Sequence, residues 1–386
     1  MSEIYLDNAA TTPISDEVLA ELNDKYKNVY GNASTLYGLG RQAKQILEDG
    51  RHTIANSINA EDNEIVFTSG GSESDNTAVI KTAEARKSLG NHIITTAIEH
   101  EAILKPMHYL EKKGFRVTYL PVDKEGNISL NDFKAALDDE TILVSIMTVN
   151  NEVGSVMPIH EIGTILKKHQ AWFHTDAVQA YGLADIDVKR DHIDLLSTSA
   201  HKINGPKMMG FLYRSNEIKI PSYIMGGDQE DKRRAGTENI PGIAGFATAV
   251  ASLTEPEKLA RKKRFQGFKN QIINGLNSNQ IDFEVNGSND KNISPHVLNL
   301  WIKGISTYIM QNNLDLAGIA VSGGSACTAG SLEPSHVLIA MFGKDNPRIE
   351  ESIRVSFGRY TTKADIDYFV DETTKIVNRI KARKAK

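Results

Sequence analysis

Residues 193–202 read Ile193-Asp194-Leu195-Leu196-Ser197-Thr198-Ser199-Ala200-His201-Lys202, an apolar run with one lysine at its end. The run has the length of a buried strand, and the small residues after it are typical of a turn. We therefore expect a strand to deliver Lys202 to the edge of a sheet. Burial lowers the pKa of a lysine amine, and a neutral amine can form a Schiff base. The competing interpretation is an ordinary solvated lysine, because lysine is rarely buried.

The same pattern, a short apolar run followed by a helix-like segment, repeats over residues 64–213. The predicted strands are Glu64–Thr68, His92–Ala97, Arg116–Leu120, Ile142–Val149, Ala171–His174, Ile193–Ser197 and Gly210–Tyr213. The predicted helices between them are Glu73–Ser88, Ala102–Lys113, Leu130–Leu137 and Ile159–His169. Repeated units of this kind predict an α/β fold with a mostly parallel sheet covered by helices. Ligands bind beyond the carboxyl ends of such strands, where Ser69, His100, Asn151, Asp176 and Ser199–Lys202 all fall.

The character of the chain changes near residue 256. Further predicted elements are a long helix at Pro256–Asn277, strands at Val297–Trp301 and Ser352–Phe357, and a closing helix at Lys363–Ala382. We therefore predict a large domain over residues 14–255. Residues 1–13 and 256–386 are predicted to form a smaller α+β domain.

The composition is that of an ordinary globular protein, with 386 residues, 40% hydrophobic, 24% charged and a net charge of −5. That balance offers no general attraction for nucleic acid or an anionic membrane. We find no apolar stretch of about 18 residues and no secretory signal, so we expect a cytoplasmic protein. The eleven histidines lack metal-ligand spacing, and we expect no metal.

Two polar features suggest a site for pyridoxal phosphate next to Lys202. The turn Thr68–Glu73 joins a predicted strand to a helix, and a helix N-terminus suits a phosphate. Asp176 could keep a pyridine nitrogen protonated, while Gln179 and Asn151 could contact ring oxygens. The structural alternatives are a capped turn at Thr68–Glu73 and helix-capping or turn-forming roles for the others.

The only cysteine, Cys327, lies in the small-residue stretch Val321–Ser331. A lone cysteine is more often a buried small hydrophobe, but these neighbours suit a mobile loop that carries a thiol. The thiolate needs a helper, for which His100 is a candidate. Arg354 could bind a substrate carboxylate through two hydrogen bonds, or be an ordinary strand arginine.

Taken together, these stretches resemble the cysteine desulfurases of the NifS/IscS kind, in the class V aminotransferase group of fold-type I pyridoxal phosphate enzymes. The resemblance runs almost end to end and favours the long-loop branch. Its motifs are Tyr5–Thr12, Glu99–Ala102, Val149–Gly154, Thr175–Gln179, Ala200–Gly205, Ala235–Asn239, Gly324–Thr328 and Ser331–Ser335.

The resemblance implies a role for each matching residue. Lys202 would form the Schiff base and move protons, His100 would stack on the ring, and Cys327 would attack the substrate sulfur. The implied cofactor contacts are Gly71, Ser72, His100, Asn151, Asp176, Gln179, Ser199, His201 and Lys202, with Thr237 reaching the phosphate of the other subunit of a homodimer. Arg354, with Asn32, would bind the substrate carboxylate. The implied reaction converts L-cysteine to L-alanine and passes sulfur from a Cys327 persulfide to an acceptor protein, for iron–sulfur cluster assembly or tRNA thiolation.

Several positions depart from the family pattern, among them Ala33, Tyr37, Ser72, Met208, Asp228 and Gly323. The chemistry-bearing residues are kept while their surroundings differ, which suggests a divergent member with one dedicated acceptor. Two alternatives stay open: a selenocysteine lyase or other class V enzyme, and a pyridoxal phosphate-binding scaffold that has lost activity. Formation of alanine from cysteine separates the scaffold from an enzyme.

Overall fold

The computed structural model describes residues 3–288, 292–323 and 334–384. Its strands are β1 (Ile4–Tyr5), β2 (Ile65–Thr68), β3 (His92–Thr96), β4 (Arg116–Leu120), β5 (Thr141–Ser145), β6 (Trp172–Asp176), β7 (Leu195–Ser199), β8 (Gly210–Arg214), β9 (Phe283–Asn286), β10 (Val297–Ile302), β11 (Ile319–Ala320) and β12 (Ser352–Ser356). Its helices are α1 (Asp16–Asn28), α2 (Gly38–Asn56), α3 (Gly71–Asn76), α4 (Thr82–Arg86), α5 (Glu101–Glu111), α6 (Leu130–Ala136), α7 (Ile159–Leu166), α8 (Gln229–Lys232), α9 (Ile240–Ala251), α10 (Glu255–Ser278), α11 (Thr307–Leu316), α12 (His336–Phe342), α13 (Arg348–Glu351) and α14 (Lys363–Lys384). A π-helical turn, Thr77–Lys81, joins α3 to α4.

The predicted α/β fold is confirmed by a seven-stranded sheet in the order β2-β8-β7-β6-β5-β3-β4. Strand β8 runs antiparallel to β2 and β7, and the other neighbours are parallel. Both faces are covered: Val144 packs in the cluster that contains Leu47 and Phe246, whereas its neighbour Leu143 packs with Ile103. Because successive side chains of a strand point to opposite faces, a strand buried on both faces appears as a continuous apolar run.

The carboxyl-terminal part forms a separate three-stranded antiparallel sheet, β12-β10-β9, with its own apolar cluster. That cluster contains Phe268 of α10, Leu300 of β10, Phe369 of α14 and Leu6 from the start of the chain. Residue Leu6 follows β1, which pairs in parallel with β11. The N-terminal segment is therefore fastened to the carboxyl-terminal part before it continues along the main sheet.

One predicted strand is longer than the observed one. The apolar run Ile142–Val149 predicts a single strand, but β5 ends at Ser145. The backbone continues along its neighbour through bonds from the N–H groups of Ile146 and Thr148 to the carbonyls of His174 and Asp176. The turn that follows is held by Asn150, whose side chain accepts from the N–H of Glu152 at 2.9 Å. An asparagine that bonds its own following backbone favours a turn, and this turn begins where the predicted strand ends, after Val149.

Among the helices of the described residues, none is both long enough and apolar enough to span a bilayer.

Candidate active site

A cavity of about 220 Å³ lies beyond the carboxyl ends of β2, β5, β6 and β7, roofed by the N-terminal segment and by β12. Its walls are Ala9, Ala10, Gly71, Ser72, Asp75, His100, Met147, Asn151, Asp176, Val178, Gln179, Ser199, His201, Lys202 and Arg354. Parallel strands bring residues from distant parts of the sequence to one edge. Ten of the predicted site residues therefore meet around one hollow.

Lys202 occupies a short 3₁₀ turn directly after β7. Gly205 lets that turn fold back closely, because a Cβ there would meet the carbonyl oxygen of Ala200 at 2.8 Å. The amine of Lys202 donates to the carbonyl oxygens of Ala9 at 2.5 Å and Ala10 at 2.7 Å. The N-terminal segment thus fixes the position of the Lys202 amine in the cavity wall.

Asp176 ends β6, and its Oδ1 accepts from the N–H of Val178 at 2.8 Å. Burial raises the pKa of this carboxyl to about 6, while the Val178 bond and the charge of Lys202 act in the opposite direction. A cationic partner such as a protonated pyridine nitrogen would restore the charged form. In the chain alone, the charge of Lys202 and the Val178 bond do not offset the effect of burial on the pKa of Asp176.

Asp75 is a second buried carboxyl of the cavity wall, which the sequence analysis missed. Burial, followed by the charge of Asp176, raises its pKa well above the usual range. Within the described part of the chain its Oδ1 makes no hydrogen bond, and the nearest ring nitrogen, Nε2 of His174, lies 3.6 Å away. His174 is kept neutral because burial lowers its pKa to about 3. Its spacing could have indicated it. Asp75 lies four positions after Gly71, so the two residues share one helix face, the face that the sequence assigns to the site.

His100 is the N-cap of α5, and its Nδ1 accepts from the N–H of Ala102 at 3.1 Å. The proton of the neutral ring must then reside on Nε2. Burial, and next the charge of Lys202, lower the pKa of His100 to about 4, so the ring is neutral at pH 7. The residue is consequently held as a flat, neutral ring that donates through Nε2.

Arg354 lies in the centre of β12 and is almost completely buried. Its Nη1 donates to the carbonyl of Asn151 at 2.9 Å and its Nη2 donates to Oδ1 of Asp7 at 2.8 Å. Its Nε makes no hydrogen bond to any described residue. A guanidinium has five N–H donors, so these contacts leave capacity for an incoming carboxylate.

Gly71 and Ser72 open a continuous helix, 71–86, at one end of the cavity. The preceding Gly70 has φ 142° and supplies no side-chain cap, so backbone N–H groups of the first turn stay available. Gly71 also passes close to Val178, whose Cγ2 a Cβ would meet at 2.8 Å. A cradle of free N–H groups with Ser72, Ser199 and His201 nearby suits a phosphate.

Gln179 connects the cavity to the carboxyl-terminal part of the chain. Its Nε2 donates to the carbonyl of Ala9 at 3.0 Å, and its Oε1 lies 3.0 Å from Nε2 of His296. The other ring nitrogen of His296 lies 2.7 Å from Oγ of Ser294. His296 is a second residue that the sequence analysis missed, because no local motif marks it.

Two of the predicted site residues that the structure describes do not line the cavity. Asn32 is exposed, and its Oδ1 accepts from the N–H of Ser34 at 2.8 Å. Thr237 is also exposed and borders a separate hollow with Ser69 and Arg234. Cys327 lies outside the described residues, so its predicted role rests on the sequence.

The residues of the cavity fit pyridoxal phosphate. The cavity is lined by the amine of Lys202, by the buried carboxyl of Asp176, whose pKa is raised, and by the neutral ring of His100. The N–H groups at the start of the helix that begins with Gly71 and Ser72 lie at one end of it. Within residues 3–288, 292–323 and 334–384, no group of three histidine, cysteine or acidic side chains is arranged to hold a metal ion.

Comparisons with known proteins agree with this geometry. The family model for class V aminotransferases matches residues 4–369. The putative cysteine desulfurase IscS 1 of Bacillus subtilis (strain 168) is 50% identical over 380 residues, covering 98% of this chain and all of that protein.

Two solved structures extend the likeness to the fold. A NifS-like protein superimposes with a TM-score of 0.90 at 35% identity, over 97% of this chain and 99% of its own. SspA in complex with cysteine superimposes with a TM-score of 0.80 at 33% identity, over 93% of this chain and all of its own. The chain therefore belongs to the class V aminotransferase family, among the pyridoxal phosphate-dependent cysteine desulfurases of the NifS/IscS kind.

Proposed function

We propose that this protein removes sulfur from L-cysteine, releases L-alanine and holds the sulfur as a persulfide on Cys327. One observation carries the proposal: Lys202, Asp176 and Arg354 line one cavity, and the described chain on both sides of Cys327 is fastened beside it. Bound pyridoxal phosphate supplies an aldehyde and an electron-withdrawing ring. Gly71, Ser72, Ser199 and His201 would hold its phosphate, Asp176 its ring nitrogen, and Asn151 and Gln179 its oxygens.

Arg354 would orient the substrate by its carboxylate. The guanidinium is rigid because Asp7 and the carbonyl of Asn151 already hold two of its nitrogens. A preoriented arginine forms shorter, charge-assisted hydrogen bonds to a carboxylate than a mobile lysine would. We infer that this contact fixes the Cα–H bond of cysteine relative to Lys202.

Lys202 would remove the α-proton and return a proton to the product. To act as a base it must be a neutral amine and must leave the carbonyls of Ala9 and Ala10, which its amine contacts in the cofactor-free chain. Once its amine is no longer held by these carbonyls, it can move protons within the cavity. The neutral ring of His100 would pack beside the reacting atoms and donate through Nε2.

Cys327 would receive the sulfur. On one side of it, Ser322 exchanges backbone hydrogen bonds with Arg354; on the other, Nε2 of His336 donates to the carbonyl of Glu99 at 2.8 Å. Cys327 follows Ser322 by five positions, which limits the distance between their Cα atoms to about 18 Å. In the transfer, a bond forms between the sulfurs of Cys327 and cysteine, the substrate C–S bond breaks, and the carbon takes up a proton to give alanine.

The assembly and partners belong to the same proposal. We infer a homodimer in which Thr237 contributes to the other subunit's phosphate site, since Thr237 and the nearby Met208 and Met225 are exposed in the single chain. The persulfide would pass to a cytoplasmic acceptor protein, serving iron–sulfur assembly or tRNA thiolation.

Mass spectrometry tests the proposal directly. Holoenzyme treated with L-cysteine should release alanine and gain one sulfur, mapped to the peptide of Cys327. A Cys327→Ser variant should bind pyridoxal phosphate normally but fail to gain the sulfur. Equal sulfur release by that variant would contradict the role of Cys327, and a yellow protein that never forms alanine would contradict the enzymatic function.

A further inference from the structure

We propose that His296 is a positioning residue, which fixes the amide of Gln179 in one orientation and thereby sets the hydrogen bonds around Lys202. The inference deepens the proposed function, because it assigns a residue outside the cavity wall to the same site. His296 lies immediately before β10, in the carboxyl-terminal part of the chain. The residues it acts on lie after β6 and near the start of the chain.

The atoms form one continuous chain of hydrogen bonds. It runs from Oγ of Ser294 to Nδ1 of His296 at 2.7 Å, and from Nε2 of His296 to Oε1 of Gln179 at 3.0 Å. It continues from Nε2 of Gln179 to the carbonyl of Ala9 at 3.0 Å. The amine of Lys202 donates to that same carbonyl. Both lone pairs of the Ala9 oxygen are thus used by site residues.

The direction of every bond in the chain follows from the Ala9 carbonyl. A carbonyl oxygen only accepts, so the Gln179 atom that faces it must be the amide nitrogen. Oε1 of Gln179 then faces His296, which must donate from Nε2. Nδ1 of His296 is left as an acceptor, and the hydroxyl of Ser294 donates to it. Only one ring tautomer and one amide orientation satisfy all three contacts.

A flipped amide would bring the oxygen of Gln179 against the Ala9 carbonyl and its nitrogen against the N–H of His296. Both contacts would be repulsive, and buried polar groups left unpaired are costly. In the observed orientation, one N–H of Gln179 bonds Ala9 and the amide retains a second N–H. Since Gln179 lines the cavity, this second N–H would be available to donate to an anionic oxygen of a bound cofactor.

The position of His296 is itself fixed by the backbone on either side. Its carbonyl accepts from the N–H of Phe357 at 2.8 Å, and the N–H of Ser294 donates to the carbonyl of Gly154 at 2.8 Å. The charged groups that act on its ring are Lys269, Lys202 and Arg354, all cationic. With burial as the largest cause, they lower the pKa of His296 to about 3. The ring therefore stays neutral, as a donor from Nε2 requires.

Nuclear magnetic resonance of the cofactor-free protein tests the tautomer without any reaction. Ring ¹⁵N shifts assigned with a His296→Gln variant should show a protonated Nε2 and an unprotonated Nδ1 at neutral pH. A proton on Nδ1 instead would overturn the inference whatever the protein does with cysteine.

Variants test the effect on the site. His296→Leu should weaken pyridoxal phosphate binding roughly tenfold, the size of one lost hydrogen bond, and shift the pH midpoint of the visible absorbance of the loaded protein. His296→Gln can donate from a similar position and should restore both values toward the unchanged protein. Ser294→Ala should shift the same pH midpoint, by less than His296→Leu does. This variant provides the test if the His296→Leu protein does not fold.

The matched control is His92→Gln, which alters another buried histidine. His92 is the first residue of β3, at the end of the sheet away from the cavity. The His92→Gln variant should leave the midpoint unchanged even if stability falls. A His296→Leu protein that titrates like the unchanged protein would refute the inference. An unchanged protein that develops no visible band with pyridoxal phosphate would instead refute the proposed function.

Discussion

Arg354 and Asp7, 347 positions apart in the chain, form an ion pair with 2.8 Å between Nη2 and Oδ1. The pair fastens the N-terminal segment to β12, where Asp7 also bridges Ser356. The same N-terminal segment supplies the carbonyls of Ala9 and Ala10 that hold Lys202. One buried contact therefore aligns the predicted carboxylate-binding residue with the predicted base.

Arg354→Lys should raise KM for cysteine roughly 10- to 100-fold and change kcat less. The substitution keeps one positive charge but removes the rigid fork that matches a carboxylate, which is worth about 1.5–3 kcal/mol. Steady-state kinetics with L-cysteine measure both constants. The control is Arg348→Lys on α13, whose guanidinium bonds Asn286 outside the cavity; a similar KM for both variants would argue against substrate binding by Arg354.

Lys202→Ala should lower the rate of alanine formation about 10²–10⁴-fold, the contribution expected of a positioned proton-transfer group. Borohydride should not attach the cofactor to this variant. Borohydride reduction of the loaded, unchanged protein should fix the cofactor to the peptide containing residue 202. Lys207→Ala, which removes an exposed lysine five positions away, is the control and should behave as the unchanged protein. Labelling of another lysine would contradict the assignment.

Asp176→Asn should make the cofactor-free protein more stable at neutral pH. The unfolded carboxyl titrates near 3.8, whereas burial raises the folded pKa to about 6. Between these values the folded state retains a proton that the unfolded state releases, so stability falls as pH rises from about 4 to 6. The asparagine variant cannot titrate and should lack that fall.

Urea denaturation of the cofactor-free proteins between about pH 4 and 8 measures the effect, expected to be on the order of 1–3 kcal/mol. The same variant should bind pyridoxal phosphate more weakly, because the ring nitrogen loses its charged partner. An asparagine variant that is less stable than the unchanged protein at pH 7 would show that Asp176 has another partner in the folded state.

Glu230→Gln should cost about 3–5 kcal/mol, because it removes the buried charge that pairs with Arg51 and leaves that guanidinium only the partly exposed Glu48 as an ionic partner. The two side chains form a two-pronged pair, with both contacts at 2.8 Å, and Glu230 also accepts from the N–H of Phe67 at 3.0 Å. Glu230 additionally adopts φ 49°, a left-handed conformation that ordinary residues rarely take.

The matched control is Glu61→Gln, which removes an exposed ion pair with Lys189 and should change the free energy of unfolding little, because solvent screens the pair. Thermal or urea unfolding of both variants gives the comparison. Equal losses would mean that the contact between Arg51 and Glu230 contributes no more than a surface pair.

The sequence predicted much of the main sheet because a strand buried on both faces, such as β5, leaves a short apolar run in the chain. Arg116–Leu120 was predicted with both bounds correct, and Leu195–Ser199 within two residues. The division into domains near residue 256 stays a prediction, as do the individual site roles. The end of β5 at Ser145 escaped prediction, because the apolar run continues to Val149.

By itself, the sequence determined the kind of fold and most residues of the cavity, since strand ends and turn residues are local properties of the chain. Only the tertiary structure decided the contacts of Lys202 with Ala9 and Ala10, the burial of Asp75 and the contact of His296 with Gln179. Those features depend on atoms that distant segments bring within hydrogen-bonding distance, and on the loss of water around them. Neither the distances between such atoms nor their desolvation can be predicted from local sequence.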